Sequence, residues 1–214
     1  MATTWAELLI DVRAELSDET AGTYEWSDAL FYIWLRDAVA DYSLYNPVLK
    51  TATLSVIAAA SYAFPDDYVV EEYVEAPAGT YLRKRFLSPG RRFTRTTGSP
   101  IYYWTVGAVM YLNSETTEDV ILTYHATHEH PDAVGDDTFE FTFPQRDEEL
   151  IRLYMRAKAH EKMRSGQASL DRFALGSGSR DDNPLEPEYD NLMEDYERKI
   201  YDRYGGGIIT LYRA

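Results

Sequence analysis

The sequence predicts an α+β protein: a helical bundle of about four helices, an inserted antiparallel β barrel or sandwich, and an extended C-terminal arm. Three observations predict it. Apolar residues recur at helical spacing up to Pro47, alternate between Lys50 and Phe143, and return to helical spacing after Pro144. Turn residues break the middle segment at short intervals. Three glycines, Gly205-Gly206-Gly207, end the last helical pattern and release an apolar tail.

The first helix starts at Thr4, where Thr4-x-x-Glu7 has capping-box spacing, and Trp5, Leu8, Leu9, Val12 and Leu16 mark its buried stripe. Ser27-Asp28 reads as the cap of a second helix that must stop near Asn46, because Pro47 disfavours helical geometry before it. This helix has two apolar stripes. Leu30, Ile33, Trp34, Ala38 and Tyr45 form one, and Phe31, Leu35, Val39 and Tyr42 the other. Both belong to a central helix packed on two sides, or one of them waits for another chain.

Strands are expected at Thr51–Ile57, Tyr68–Val74, Tyr81–Phe86, Ile101–Val106, Ala108–Leu112, Val120–His125 and the strictly alternating Thr138–Phe143. Pro65-Asp66-Asp67, Ser88-Pro89-Gly90, Gly98-Ser99-Pro100 and Gly107 separate several of them. A third helix is expected from Pro144 to about Gly166, with Asp147, Glu148 and Glu149 at its positive end. A polar linker, 174–187, precedes a last helix over Tyr189–Tyr204. The expected organisation is therefore 1–49 and 144–204 helical, 50–143 a β insertion, and 205–214 an arm.

Composition narrows the function classes. With 21 basic and 36 acidic residues, the formal charge of −15 argues against gripping phosphate backbones over the whole surface. Zero cysteines exclude disulfides and thiolate metal sites. Eighteen tyrosines supply contact area with polar tips, which suits interfaces as well as cores. The stretch Met1–Leu9 has no basic n-region, and Val56–Phe64, the longest nearly apolar run, is too short to span a bilayer, so a soluble protein made in the cytoplasm is expected, with no membrane partner. No nucleophile elbow, phosphate-binding glycine loop or paired acid–base occurs, and Gly205-Gly206-Gly207 ends a helix instead of opening one. A non-enzymatic protein without a cofactor is expected.

Two features point to partners. Between Glu75 and Glu115 there is no acid but there are Arg83, Lys84, Arg85, Arg91, Arg92 and Arg95, a +6 segment in a chain otherwise at −21. It is either a solvated hairpin or a surface that meets acid, most simply the acidic helical part of a neighbouring copy. Nucleic-acid binding is the weaker alternative. In the tail, Ile208, Ile209, Leu211 and Tyr212 are frayed, or they dock as an extended segment into a neighbour's groove or sheet edge. His125, His128 and His130, with Asp132, are the one metal-like cluster; a solvated strand end explains them better. Asp66-Asp67, Asp136-Asp137 and Asp181-Asp182 lack calcium-loop spacing and read as turn and cap residues.

The order of elements resembles the head-to-tail adaptor (connector) proteins of tailed bacteriophages. The residues carrying the likeness are Trp26-Ser27-Asp28-Ala29-Leu30, Phe64-Pro65-Asp66-Asp67-Tyr68-Val69, Gly98-Ser99-Pro100-Ile101-Tyr102-Tyr103, Gly107-Ala108-Val109-Met110-Tyr111-Leu112, Val120-Ile121-Leu122-Thr123-Tyr124 and the helix from Pro144. The likeness spans roughly Trp5 to Phe173 as a rhythm of elements, not an invariant motif. It implies a virion protein of the neck: a homo-oligomeric ring of twelve copies beneath the portal protein, with a tail or neck protein below. Double-stranded DNA would pass through its lumen without specific binding, and the C-terminal segment would reach the portal. An acidic conduit suits sliding DNA. The competing class is a monomeric ligand- or protein-binding module built on the β domain.

Overall fold

In a computed structural model, the structure describes residues 3–20, 25–54, 59–86, 98–174 and 185–205. They form two compact units, one from Met1–Asn46 with His128–Ala214 and the other from Pro47–Thr127. The class is α+β, with four helices in the first unit and two sheets in the second among the described residues.

In the helical unit, α1 (Trp5–Glu15) opens with a complete capping box. The Glu7 N–H donates to Thr4 Oγ1 at 3.3 Å, and the Thr4 N–H donates to Glu7 Oε2 at 2.9 Å. Helix α2 (Asp28–Tyr45) starts from Ser27 and stops at Asn46. Both of its apolar stripes serve one core: Phe31, Trp34, Leu35, Ala38, Val39 and Tyr42 are buried. Only Ile33, 43% exposed, is left over. The third helical region begins differently from expectation. Pro144 leads into a 3-10 turn, Gln145–Asp147, and α3 proper runs Glu148–Ala174, through Gly166 instead of ending there. A mid-helix glycine costs only about 1 kcal/mol, which a long helix can absorb. Helix α4 starts at Leu185, earlier than Tyr189, with Pro187 in its first turn where its missing N–H is harmless.

Thr138–Phe143 is not a strand. Glu140 makes a single bridge with Thr4, supported by Trp5 N–H to the Phe139 carbonyl at 3.0 Å. The alternation is real but serves the helical core, where Phe141 and Phe143 are buried with ring centroids 4.7 Å apart. An extended segment docked on a helix start buries every second side chain as a strand does, so the period alone does not separate the two.

In the β unit, one sheet has the order β1 (Val48–Leu54), β7 (Val120–Ala126), β3 (Tyr68–Glu75), all antiparallel. The other has the order β2 (Ala59–Ala63), β6 (Val109–Thr116), β5 (Tyr102–Val106), β4 (Arg83–Lys84). Val74, Leu82, Met110, Leu112, Val120 and Leu122 share one core between them. Among the described residues the strands remain two sheets and do not close into a barrel. Two details depart from the sequence reading, and a third, the turn at Gly107, agrees with it. Strand β2 falls in a small-residue stretch with no strand expectation. Tyr81–Phe86 contributes only the two residues of β4, and those pair parallel with β5. The hairpin between β5 and β6 turns on Gly107 and Ala108, with Gly107 at φ 57°, the backbone region a two-residue hairpin needs at its first position.

Candidate functional site

Arg83, Lys84 and Arg85 lie on or beside β4, at the margin of the second sheet. Arg83 pairs with Tyr102 and Lys84 with Tyr103, so alternation sends the two neighbours to opposite faces. Lys84 is turned inward, where its Nζ forms an ion pair with the buried carboxylate of Glu71. Arg83 and Arg85 share the outer face with Tyr102, Trp104, Val106 and Tyr111. The Arg85 guanidinium stands 4.3 Å from the Tyr102 ring centroid, a cation–π geometry, and the Arg85 backbone N–H donates to the Tyr103 carbonyl at 2.8 Å. Trp104 and Tyr111, opposite each other in register, stack at 5.7 Å. Val106 at the end of that row is 51% exposed. Arg91, Arg92 and Arg95 lie outside the described residues. The sequence reading missed the aromatic half of this face; period-2 spacing of Tyr102, Trp104 and Val106 was the signal for it.

Ile208, Ile209, Leu211 and Tyr212 of the arm also lie outside the described residues, but its root does not. Gly205 ends α4 with φ 65°, and its N–H donates to the Tyr201 carbonyl at 2.7 Å, a left-handed helix cap. The last two helical residues are fastened to Asp147, which is fully buried. Tyr204 and Tyr42 donate their hydroxyls to Asp147 Oδ2, the latter at 2.8 Å, and Arg203 Nη1 donates to Asp147 Oδ1 at 2.8 Å. Arg203 also reaches the Arg146 carbonyl at 2.6 Å and Glu149 Oε2 at 3.3 Å. Burial alone would raise the Asp147 pKa, but the bonds from Tyr204, Tyr42 and Arg203 outweigh it and hold the carboxyl below its usual range. Burial first, then the bonds to Tyr204 and Asp147, pushes Tyr42 far upward. Nothing in the sequence pattern marked Asp147 beyond its place near a helix start.

The histidines do not assemble. His128 is buried between Tyr42 and Phe143, at centroid distances of 5.2 and 6.2 Å, with both ring nitrogens engaged. Nε2 lies 2.8 Å from the Asn46 carbonyl and so carries the proton, and Nδ1 lies 2.8 Å from Thr142 Oγ1, which can donate to it. With both ring nitrogens spent on hydrogen bonds, His128 offers no free lone pair to a metal. His130 Nδ1 faces the Pro131 carbonyl at 2.9 Å, and His125 pairs with Glu72 at 3.1 Å. Asp67 is likewise committed, to Lys50 and to Tyr124, each at 2.9 Å. Burial, then that bond, pushes Tyr124 up to about 12. Among the described residues no three His, Asp or Glu side chains are arranged to hold a metal ion.

Among the described residues, neither the basic, aromatic sheet face nor the clamped end of α4 carries a reactive constellation. The model of one family, described as SU10 adaptor protein, matches residues 3–212. The chain belongs to the SU10 adaptor protein family. The phage head-to-tail adaptor expected from the order of elements is thus shown at the level of family, over nearly the whole chain. No individual curated protein matches the sequence. No helix of the adaptor, among the described residues, is long and apolar enough to cross a membrane.

Proposed function

We propose that this adaptor is a structural, non-enzymatic virion protein that forms a ring beneath the portal and extends the DNA channel to the tail. Twelve copies make the ring, and the neck of the virion is its place. Family membership across residues 3–212 is the observation that carries this reading. The charge of −15 supports a conduit along which DNA slides without sticking. The segment 205–214 docks on the portal through Ile208, Ile209, Leu211 and Tyr212. Fully buried apolar groups of this size contribute about 1.5–3 kcal/mol each, against roughly 1–2 kcal/mol per residue for ordering the backbone. Docking therefore needs main-chain hydrogen bonds as well, as in strand addition or a tight groove.

The test compares the full chain with a chain lacking Ile208–Ala214, each mixed with portal and imaged by negative-stain electron microscopy. The full chain should add a ring-shaped layer to the portal. The truncated chain should melt at nearly the same temperature, because Tyr204 and Arg203 hold the helix end without the arm, and should fail to attach. A full chain that never decorates portals sinks the adaptor reading. Unfolding on truncation sinks the docking arm alone.

A further inference from the structure

The two units differ sharply in charge. The helical unit has 28 acidic and 14 basic residues, formally −14, whereas the β unit has 8 and 7, formally −1. Six of those seven bases lie between Arg83 and Arg95. Part of the helical unit's negative charge lines one ridge. Asp190, Glu194 and Glu197 are exposed along α4 at spacings of four and three residues, and Tyr201, 63% exposed, continues the line. Asp41 of α2 lies close by. The Tyr196 hydroxyl donates to Asp41 Oδ2 at 2.6 Å, and Tyr45 is raised by burial first and then by Asp41 and Glu197 together. The nearby cations are largely spent elsewhere: Lys199 and Arg198 on Asp195, Lys199 also on Glu149, and Lys158 on Glu161.

We infer that the outer face of the second sheet, with Arg83 and Arg85 beside Tyr111 and Val106, docks on the acidic α4–α2 ridge of a second copy of this chain. Charge complementarity selects the occupant. The face presents arginine guanidinium groups and aromatic rings, the pairing enriched at protein interfaces, and the ridge offers carboxylates flanked by an exposed tyrosine. Because face and ridge are different patches, the contact is head-to-tail. Repeating it gives a ring when the rotation closes, which a self-complementary patch does not do. The inference rests on the ring reading above and adds the surfaces that would build it. Lys84, held inward by Glu71, contributes to the field of the face but not to its contacts.

The chain has no cysteine, so single thiols can be placed at will. Val106→Cys on the face and Tyr201→Cys on the ridge are made in separate batches, mixed, and treated with a short bis-maleimide. A cross-linked pair should form in yield well above that of Val106→Cys mixed with Ile10→Cys, a control exposed on α1. The yield should fall as salt rises. Arg83→Glu with Arg85→Glu in the first batch should lower it by about tenfold, and Glu194→Lys with Glu197→Lys in the second should recover it. Three results overturn the inference: a yield no better than the control; a double-cysteine chain that links only within itself at high dilution; or unchanged cross-linking while the arginine reversals abolish a shift of duplex DNA, which would make the face a nucleic-acid surface. Rings seen by microscopy without the cross-link would leave the adaptor reading standing and remove this one.

Discussion

Replacing Asp147 by Ala should unfold the helical unit more readily than any surface change of the same size. The carboxylate accepts from the Tyr42 and Tyr204 hydroxyls and from Arg203, at a site with no exposure. Hydrogen bonds to a buried charge contribute about 1.5–3 kcal/mol each, so the two tyrosines account for about 3–6 kcal/mol. Part of this returns. The hydroxyls lie 3.3 Å apart and can bond each other, and Asn46 Nδ2 already donates to Tyr42 at 2.5 Å. Arg203 is 31% exposed, so its ion pair adds no more than about 1 kcal/mol after solvent screening. The expected net loss is about 3–4 kcal/mol. Urea unfolding followed by far-ultraviolet circular dichroism measures it, and Tyr42→Phe, alone and combined with Asp147→Ala, isolates the coupling. The same group sets an acid limit. Its folded pKa lies below the unfolded value, so its contribution is complete above about pH 4 and fades as pH falls through the folded value. The Asp147→Ala chain should lose that part of the acid sensitivity. A loss under about 1 kcal/mol, or acid sensitivity unchanged by the substitution, would refute the clamp as described.

Lys84→Ala removes the cation beside buried Glu71 and should destabilise the β unit by about 2–3 kcal/mol, with Lys84→Met/Glu71→Met recovering most of it; Trp104 is the one tryptophan of that unit and reports it by fluorescence. His128→Ala loses two ring hydrogen bonds and leaves a cavity beside Tyr42, a cost of about 3 kcal/mol that added zinc should neither relieve nor deepen in a melting assay. Gly107→Ala has space around the new methyl but forces a left-handed backbone, so about 1–2 kcal/mol should appear as faster unfolding, while Gly107→Asn should cost less.

What the sequence displayed clearly was whatever depends on neighbours in the chain. The Thr4–Glu7 box, the Ser27 cap and the stop before Pro47 are local chemistry, and all three stand where the residues put them. Strands β3, β5, β6 and β7 were legible because alternation and turn residues agreed. The failures share a cause, since each depends on contacts distant in sequence. Phe139, Phe141 and Phe143 alternate because α1 lies against them, not because a strand pairs there. The parallel step from β4 to β5 follows from a crossover that no local pattern encodes. Arg13, a charged residue in the last turn of α1, is buried and joins Asp18, the Trp26 carbonyl at 3.0 Å and Asp28 across the connection between two helices. At the candidate face the sequence showed charge but not sidedness. Only the register assigns Arg83 and Arg85 outward and Lys84 inward.

The same register bears on how so acidic a protein could build the self-association proposed above. Long-range repulsion between copies at −15 opposes any contact, so an interface must gather its positive charge in one place and pair its apolar area with it. Spreading the six bases of Arg83–Arg95 evenly would lower repulsion everywhere and specify nothing. With Arg83 and Arg85 together on the outer face of the sheet margin, beside rings stacked at 5.7 Å, the proposed interface would attract one kind of surface and leave the remainder repulsive, which would select an orientation as well as a partner. The arm follows a complementary logic. In sequence its apolar residues follow three glycines, and Tyr204 and Arg203, just before them, are fixed on a buried carboxylate. A helix end frays unless something holds its last turn, and a frayed root would lengthen the tether and lower the effective concentration of its tip at a partner. On the proposed docking, clamping the root would strengthen attachment without adding a contact to the partner, which gives a role to the buried Asp147 carboxylate that holds the end of α4.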